Sequence, residues 1–167
     1  FGANAVDTRV SAASKLEDQF SQFFNAKDNW NILPSVSFVN VSKSVGNNFS
    51  FGLTGSVNKI SKYVLPRVGE GQYTVINIGD KNYYAVDAVI NYSLMSLIKS
   101  KKIDPSIHIG GGYTWIGEEL KAGTLNGGLG LTYWFTEMVG LSWRSTYKQS
   151  FEDIREDMPS HMQHFAG

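Results

Sequence analysis

The chain of 167 residues contains no cysteine. This excludes disulfides, thiolate metal sites and thiol nucleophiles within these residues. Lys and Arg together number 15, as do Asp and Glu. The sequence therefore has no basic field that would indicate nucleic acid and no acidic excess that would indicate a basic partner. Apolar runs are also short, because none approaches the roughly 18 to 20 residues that a transmembrane helix requires.

Large apolar residues alternate with small or polar ones in several segments, most clearly in 49–58, 85–94 and 139–148. A period of two predicts β-strands with two unlike faces. The solvent face of a soluble sheet normally carries Lys and Glu, yet charge is nearly absent from both faces here. We therefore expect the polar face to line a narrow interior and the apolar face to contact lipid, as in an outer-membrane barrel.

The alternation predicts one all-β domain over residues 1–167, an eight-stranded antiparallel transmembrane β-barrel, which suits a chain of this length. The predicted strands are 1–7, 29–43, 48–60, 82–97, 105–117, 122–134, 138–150 and 161–167. We expect the short first and last strands to pair, to close the sheet and to continue beyond this chain. Connections 8–28 and 61–81 are interpreted as long extracellular loops, and 44–47 as a short periplasmic turn.

The outer surface is predicted to have an apolar belt bordered by aromatic residues. The residues expected to face lipid are Phe51, Leu53, Ile90, Leu94, Leu129, Leu141 and Trp143. Aromatic rings favour the headgroup zone of a membrane. The rings assigned to such a girdle, near strand ends, are Trp30, Tyr113, Trp115, Tyr133, Trp134 and Tyr147.

Residues 11–25 have helical rather than strand periodicity. Leu16, Phe20, Phe23 and Phe24 recur at helical spacing among polar residues, which predicts a short amphipathic helix in the first extracellular loop. We interpret this helix as packing over the barrel mouth, and the alternative is a docking face for another protein.

Three charged residues fall on the predicted polar face, Asp87, Arg144 and Lys148, together with Asn91 and His108. An ionised group in a narrow interior is costly unless it is paired, so opposite charges there predict an internal ion-pair network. An eight-stranded interior is just wide enough to be filled by side chains. We therefore favour a plugged barrel, with a gated pore as the alternative.

Other chemical patterns are weak. The glycines at 110–112 and 126–130 lie inside strands rather than at a strand-to-helix turn, which argues against a phosphate loop. His161 and His164 are three apart and point to opposite faces of a strand, which disfavours a metal site. Asp153, Glu156 and Asp157 near His161 leave a barrel enzyme as an alternative. We expect no catalytic residue, metal or cofactor.

Four segments resemble the amino-terminal barrels of OmpA-like outer-membrane proteins of the Bacteroidota: 30–37, 49–51 after a short turn, 126–135 and the ending 160–167. The resemblance covers most of the chain and implies an outer-membrane location in a Gram-negative bacterium. It also implies that a peptidoglycan-binding domain follows the barrel. The expected function is thus a membrane anchor for that domain, in contact with lipid, lipopolysaccharide and other outer-membrane proteins. A small channel, a lipid-modifying enzyme and a soluble lipocalin-like carrier are the alternatives.

Overall fold

The computed structural model describes residues 1–8, 25–33, 35–66, 73–118, 120–151 and 160–167. These residues are almost entirely in strands, which confirms the all-β prediction. The strands are β1 (Ala3–Asp7), β2 (Trp30–Ile32), β3 (Phe38–Gly46), β4 (Phe49–Pro66), β5 (Tyr73–Ser93), β6 (Ile103–Ile116), β7 (Leu120–Trp134), β8 (Gly140–Ser150) and β9 (His161–Ala166). One helical turn, α1 (Ala26–Asn29), precedes β2. No helix among the described residues has the length and apolarity needed to cross a membrane.

The strands form one curled antiparallel sheet in the order β2-β1-β9-β8-β7-β6-β5-β4-β3. The predicted pairing of the first and last strands is present, because β1 pairs with β9 from Ala3 opposite Ala166 to Asp7 opposite Met162. The two outermost strands, β2 and β3, are consecutive in the chain. Gly2 N donates to the Phe38 carbonyl (3.2 Å) and Phe38 N donates to the Gly2 carbonyl (3.1 Å), so the start of β1 also contacts the start of β3.

Two predicted boundaries were wrong. The single strand predicted over 29–43 is divided into β2 and β3, which gives nine strands in the sheet rather than eight. The loop predicted over 61–81 is largely strand, since β4 runs to Pro66 and β5 begins at Tyr73. The hairpin continues across a register shift between Ile60 and Lys62, and such an irregularity interrupts the strict alternation on which the prediction depended.

The turn between β3 and β4 explains how two long strands reverse within so few residues. Asn47 and Asn48 both have positive φ, at 51° and 66°. Two central residues with positive φ form the turn type whose twist matches that of flanking antiparallel strands, and asparagine tolerates this conformation well. The turn sets the register of β3 on β4 and thereby places alternate side chains of both strands on the same face.

Candidate functional site

The exposed convex face of the curled sheet is apolar and its buried concave face is polar. A soluble protein has the reverse arrangement. On the convex face, most of the predicted lipid-facing residues are exposed: Phe51, Leu53, Ile90, Leu129, Leu141 and Trp143, with Leu129 at 63% and Trp143 at 37%. Leu94 differs, because β5 ends at Ser93 and Leu94 lies half-buried at the start of the following turn. The concave face instead buries polar residues, including Asn126 and Thr146.

An ion pair lies at the centre of the concave face. Lys148 Nζ donates to both carboxylate oxygens of Asp87, at 2.8 and 2.7 Å, and Asn126 Nδ2 donates to Asp87 Oδ1 at 2.7 Å. The side chain of Lys148 is 0% exposed and that of Asp87 is 5% exposed. Charges buried this deeply are costly without good partners, and breaking one of these hydrogen bonds would leave such a charge poorly paired. The three hydrogen bonds therefore hold β5, β7 and β8 together.

Arg144 lies on the same face but does not join this ion pair. Its Nη2 donates to Thr54 Oγ1 at 3.1 Å, and its guanidinium carbon lies 4.7 Å from the centre of the Phe165 ring. Within the described part of the chain, no carboxylate lies within ion-pair distance of it. The predicted three-residue network therefore consists of one ion pair, Asp87 with Lys148, and a separate arginine held by a hydroxyl and an aromatic ring.

The other two residues predicted for the interior also lie on the concave face. His108 is buried, and its Nε2 is hydrogen-bonded to Thr146 Oγ1 at 2.9 Å. Asn91 is half-buried nearer the end of β5. The hydrogen bond of His108 thus links β6 to β8 on the same face as the ion pair.

A second polar cluster was not predicted. Tyr83 Oη donates to Gln163 Oε1 (3.2 Å) and lies 3.0 Å from His161 Nε2, while Gln163 Nε2 donates to Ser56 Oγ at 2.9 Å. Asn58 Nδ2 donates to Asn4 Oδ1 at 2.8 Å and so links β4 to β1. Each of these residues lies at a position that the period-two alternation places on the concave face. That alternation was the sequence pattern from which the cluster could have been predicted.

The polarity of both faces reverses near one end of the sheet. Beyond Asn58 on β4, the buried positions become apolar and form a cluster with neighbouring strands: Val6, Ile60, Tyr83, Ala85, Ile116 and Ala122. The exposed residues there include the charged Lys59 and Asp80, which are 56% and 65% exposed and lie 3.8 Å apart, together with the apolar Val75 and Ile76. This end thus combines an apolar buried cluster with exposed charges, and it lies where β4 leads into β5 and β6 leads into β7.

At the other end the concave face opens into a polar cavity of about 140 Å³. Its lining is contributed by β3 to β8 and consists mostly of hydroxyl, amide and glycine positions, with two charged residues. The lining includes Arg144, Asp104, Asn91, Ser106, Thr132 and Ser142. The interior therefore changes along its axis from an apolar cluster, through the ion pair, to a partly open polar cavity.

The predicted girdle residues lie near strand ends but not all on one face. Tyr113 packs on Trp115 with ring centres 4.7 Å apart, and Tyr133 packs on Phe135 at 5.2 Å. Tyr147 is half-buried on the convex side of β8. Trp134 occupies the concave phase of β7, opposite Gly140, because adjacent residues of a strand point to opposite faces. It therefore cannot belong to the same outer girdle as Tyr133.

Trp30 lies against a buried strip on the convex side of β1 and β9. Its ring stacks on His164 at 4.3 Å, and His164 Nδ1 lies 2.7 Å from Ser145 Oγ. A Ser and His pair in contact is also found in nucleophilic catalysts, but here the residues are only 8% and 3% exposed. We interpret the pair as structural packing between β8 and β9.

Several predicted residues lie outside the described part of the chain. These are the docking-helix residues Leu16, Phe20, Phe23 and Phe24, and the acidic residues Asp153, Glu156 and Asp157. Among the described residues, no group of three or more His, Asp or Glu side chains is arranged to hold a metal ion. Comparison of the chain with protein-family models, curated proteins and solved structures gives no match.

Proposed function

We propose that this chain is a closed, eight-stranded outer-membrane β-barrel whose filled interior makes it a structural anchor rather than a conduit. The observation that carries the proposal is the inverted polarity of the sheet. Exposed aliphatic residues such as Leu129 and Leu53 surround a buried Asp87–Lys148 ion pair. A membrane stabilises this arrangement, because lipid accepts the apolar face while the charges satisfy one another internally.

The dimensions of the apolar face support the same proposal. On β6, the exposed convex residues run from Ile103 to Tyr113, a separation of ten residues. That is about 33 Å along a strand, or about 25 Å along the membrane normal at a strand tilt of about 40°. The apolar band of outer-membrane barrels has about this height. The charged Lys59 and Asp80 would then lie in water beyond the band.

Contacts at the sheet edges support closure. β2 and β3 are treated in this proposal as two parts of one barrel strand, interrupted between Ile32 and Phe38. β1 pairs with β2, and its neighbour Gly2 bonds to Phe38. Asn4 Nδ2 adds a hydrogen bond to the Ser37 carbonyl at 2.8 Å. Counting the two parts as one gives eight strands with no free edge, which removes a route to aggregation.

The anchoring role depends on the resemblance to OmpA-like barrels. We propose that the native gene product carries a peptidoglycan-binding domain after this segment, and that the barrel holds this domain at the outer membrane among lipid, lipopolysaccharide and other outer-membrane proteins. No nucleic-acid partner, cofactor or enzymatic activity is proposed. Co-sedimentation of the whole gene product with isolated peptidoglycan tests this part, and failure to sediment would refute the anchor while leaving the barrel intact.

Membrane insertion is tested by refolding the chain into lipid vesicles and recording its fluorescence. A variant that retains only Trp143, which is on the convex face, should float with the vesicles and be quenched by brominated lipid chains. A matched variant that retains only Trp134, on the concave side, should be quenched less. A chain that stays in the aqueous fraction with unquenched Trp143 emission would refute the barrel and favour the soluble carrier.

A small channel is the second candidate, because the polar cavity beside Arg144 provides part of a water path. The apolar cluster around Ile60 and Tyr83 opposes conduction, since all its buried members are at most 1% exposed. We expect little conductance in planar bilayers. Reproducible single-channel currents that change when Arg144 is replaced by Gln would establish the channel instead.

A further inference from the structure

We infer that the polar cavity is a binding site for a small carboxylate anion, with the Arg144 guanidinium as its recognition group. This inference concerns the concave face only, and it holds whether or not the convex face meets lipid. It rests on the charge balance of the interior, on how Arg144 is held, and on the lining of the cavity.

Among the residues that the structure describes, no carboxylate lies within ion-pair distance of Arg144. The concave face carries two cations, Lys148 and Arg144, but both oxygens of Asp87 already accept hydrogen bonds from Lys148. The cavity wall itself contains the carboxylate of Asp104, which accepts a hydrogen bond from Ser93 Oγ and lies outside ion-pair distance of Arg144. A partly buried cation gains most from an anion that brings its own charge.

The guanidinium is held in place before any ligand arrives. Thr54 accepts a hydrogen bond from Nη2 at 3.1 Å, and the Phe165 ring packs against the guanidinium plane at 4.7 Å. Arg144 Nε is buried and has no hydrogen-bond partner among the described residues. Because guanidinium presents a planar fork of donors that fits a carboxylate with two hydrogen bonds, an ordered arginine loses little entropy on binding one.

The cavity wall determines what kind of anion fits. A volume of about 140 Å³ is close to that of an engineered cavity of about 150 Å³ that accommodates benzene. Ser106, Thr132, Ser142 and Asn91 supply hydroxyl and amide groups for the ligand oxygens. Asp104 shares this space and repels a second negative charge. The site therefore favours a singly charged carboxylate over a phosphate dianion.

The test is a titration of the purified, refolded chain in detergent micelles with carbon-13 acetate, followed by NMR line broadening at constant ionic strength. Inorganic phosphate is titrated in parallel. We expect saturable acetate binding that weakens by at least about tenfold in R144Q, the loss typical of removing a hydrogen bond to a charged group. The control K102Q removes a cation on an exposed turn and should bind as the wild type does.

Two further variants make the result specific. R144K keeps the charge but not the planar fork, and it should bind acetate several-fold more weakly while retaining the folded mobility of the wild type on unheated gels. D104N removes the charge that repels a second negative charge on the ligand. The ratio of acetate affinity to phosphate affinity should therefore be smaller in D104N than in the wild type. Absence of saturable binding, equal binding by R144Q, or an equal loss in K102Q would overturn the site. Tighter binding of phosphate than of acetate by the wild type would overturn the assignment to carboxylates.

Discussion

Replacing Asp87 by Asn should destabilise the folded chain more than almost any other single polar substitution. The change removes the charge that Lys148 faces while keeping the shape of the side chain. Lys148 is 0% exposed, so its ammonium would remain buried without a counterion. Removing one partner of a buried ion pair typically costs about 3 to 5 kcal/mol, and the three hydrogen bonds that Asp87 accepts place this pair within that range.

A matched control is available in the same sheet. Asp80 forms an ion pair with Lys59 at 3.8 Å, but both side chains are more than half exposed. D80N removes the same charge by the same substitution, and we expect it to change the free energy of unfolding by about 1 kcal/mol or less. The contrast between D87N and D80N therefore measures the effect of burial rather than that of carboxylate chemistry.

Unfolding by urea in lipid vesicles, followed by tryptophan fluorescence and by mobility on unheated gels, measures both variants. The reversed double variant D87K/K148D should recover part of the loss, since contacting residues are not additive. The reasoning would be refuted by a D87N midpoint indistinguishable from that of D80N. The free energy of unfolding lost in D87K/K148D should be smaller than the sum of the losses in D87K and K148D alone. A loss equal to that sum would show that the two residues do not interact as a pair.

Three further predictions use the same unfolding assay. L129R on the apolar convex face should cost about 2 to 4 kcal/mol in lipid, whereas N82R, at an exposed site beyond the apolar band, should cost about 0.5 kcal/mol or less; equal costs would contradict lipid contact. G128A should destabilise, because its methyl would lie 2.0 Å from a backbone carbonyl, while G55A meets nothing within 4 Å; equal midpoints would contradict this contact. Y83F should cost about 1 to 3 kcal/mol because it removes the buried hydrogen bond to Gln163 Oε1, and a neutral effect would contradict that network.

The interior could be predicted from the sequence as far as the period of two holds. Asp87 and Lys148 lie on different strands, far apart in the chain, yet the phase of each strand places both on one face. A buried carboxylate and a buried ammonium on the same face are each costly alone, so they are expected to form an ion pair. The same phase predicts Arg144 on that face but does not predict its partners. Phe165 is its direct neighbour in the register of β8 on β9, and Thr54 lies across the curled sheet on β4.

The region beyond Asn58 could not be predicted in the same way. There the buried positions of the hairpin become apolar, as at Ile60 and Val64, and the exposed positions become charged, as at Lys59. A reversal of polarity, together with a register shift between Ile60 and Lys62, looks in sequence like the end of a strand. For this reason 61–81 resembled a loop, although both strands continue.

That reversal and the buried ion pair together constrain which environment each part of the molecule can occupy. Water around the whole sheet would leave Leu53, Leu129 and Leu141 exposed without a compensating partner. Lipid around the whole sheet would place Lys59 and Asp80 in hydrocarbon, which is also costly. In the proposed barrel, a change from lipid to water near Asn58 would suit both groups of residues. The interior also changes near this level, from the ion pair to the apolar cluster. The proposed membrane barrel would account for both changes if the boundary between lipid and water lay at this level.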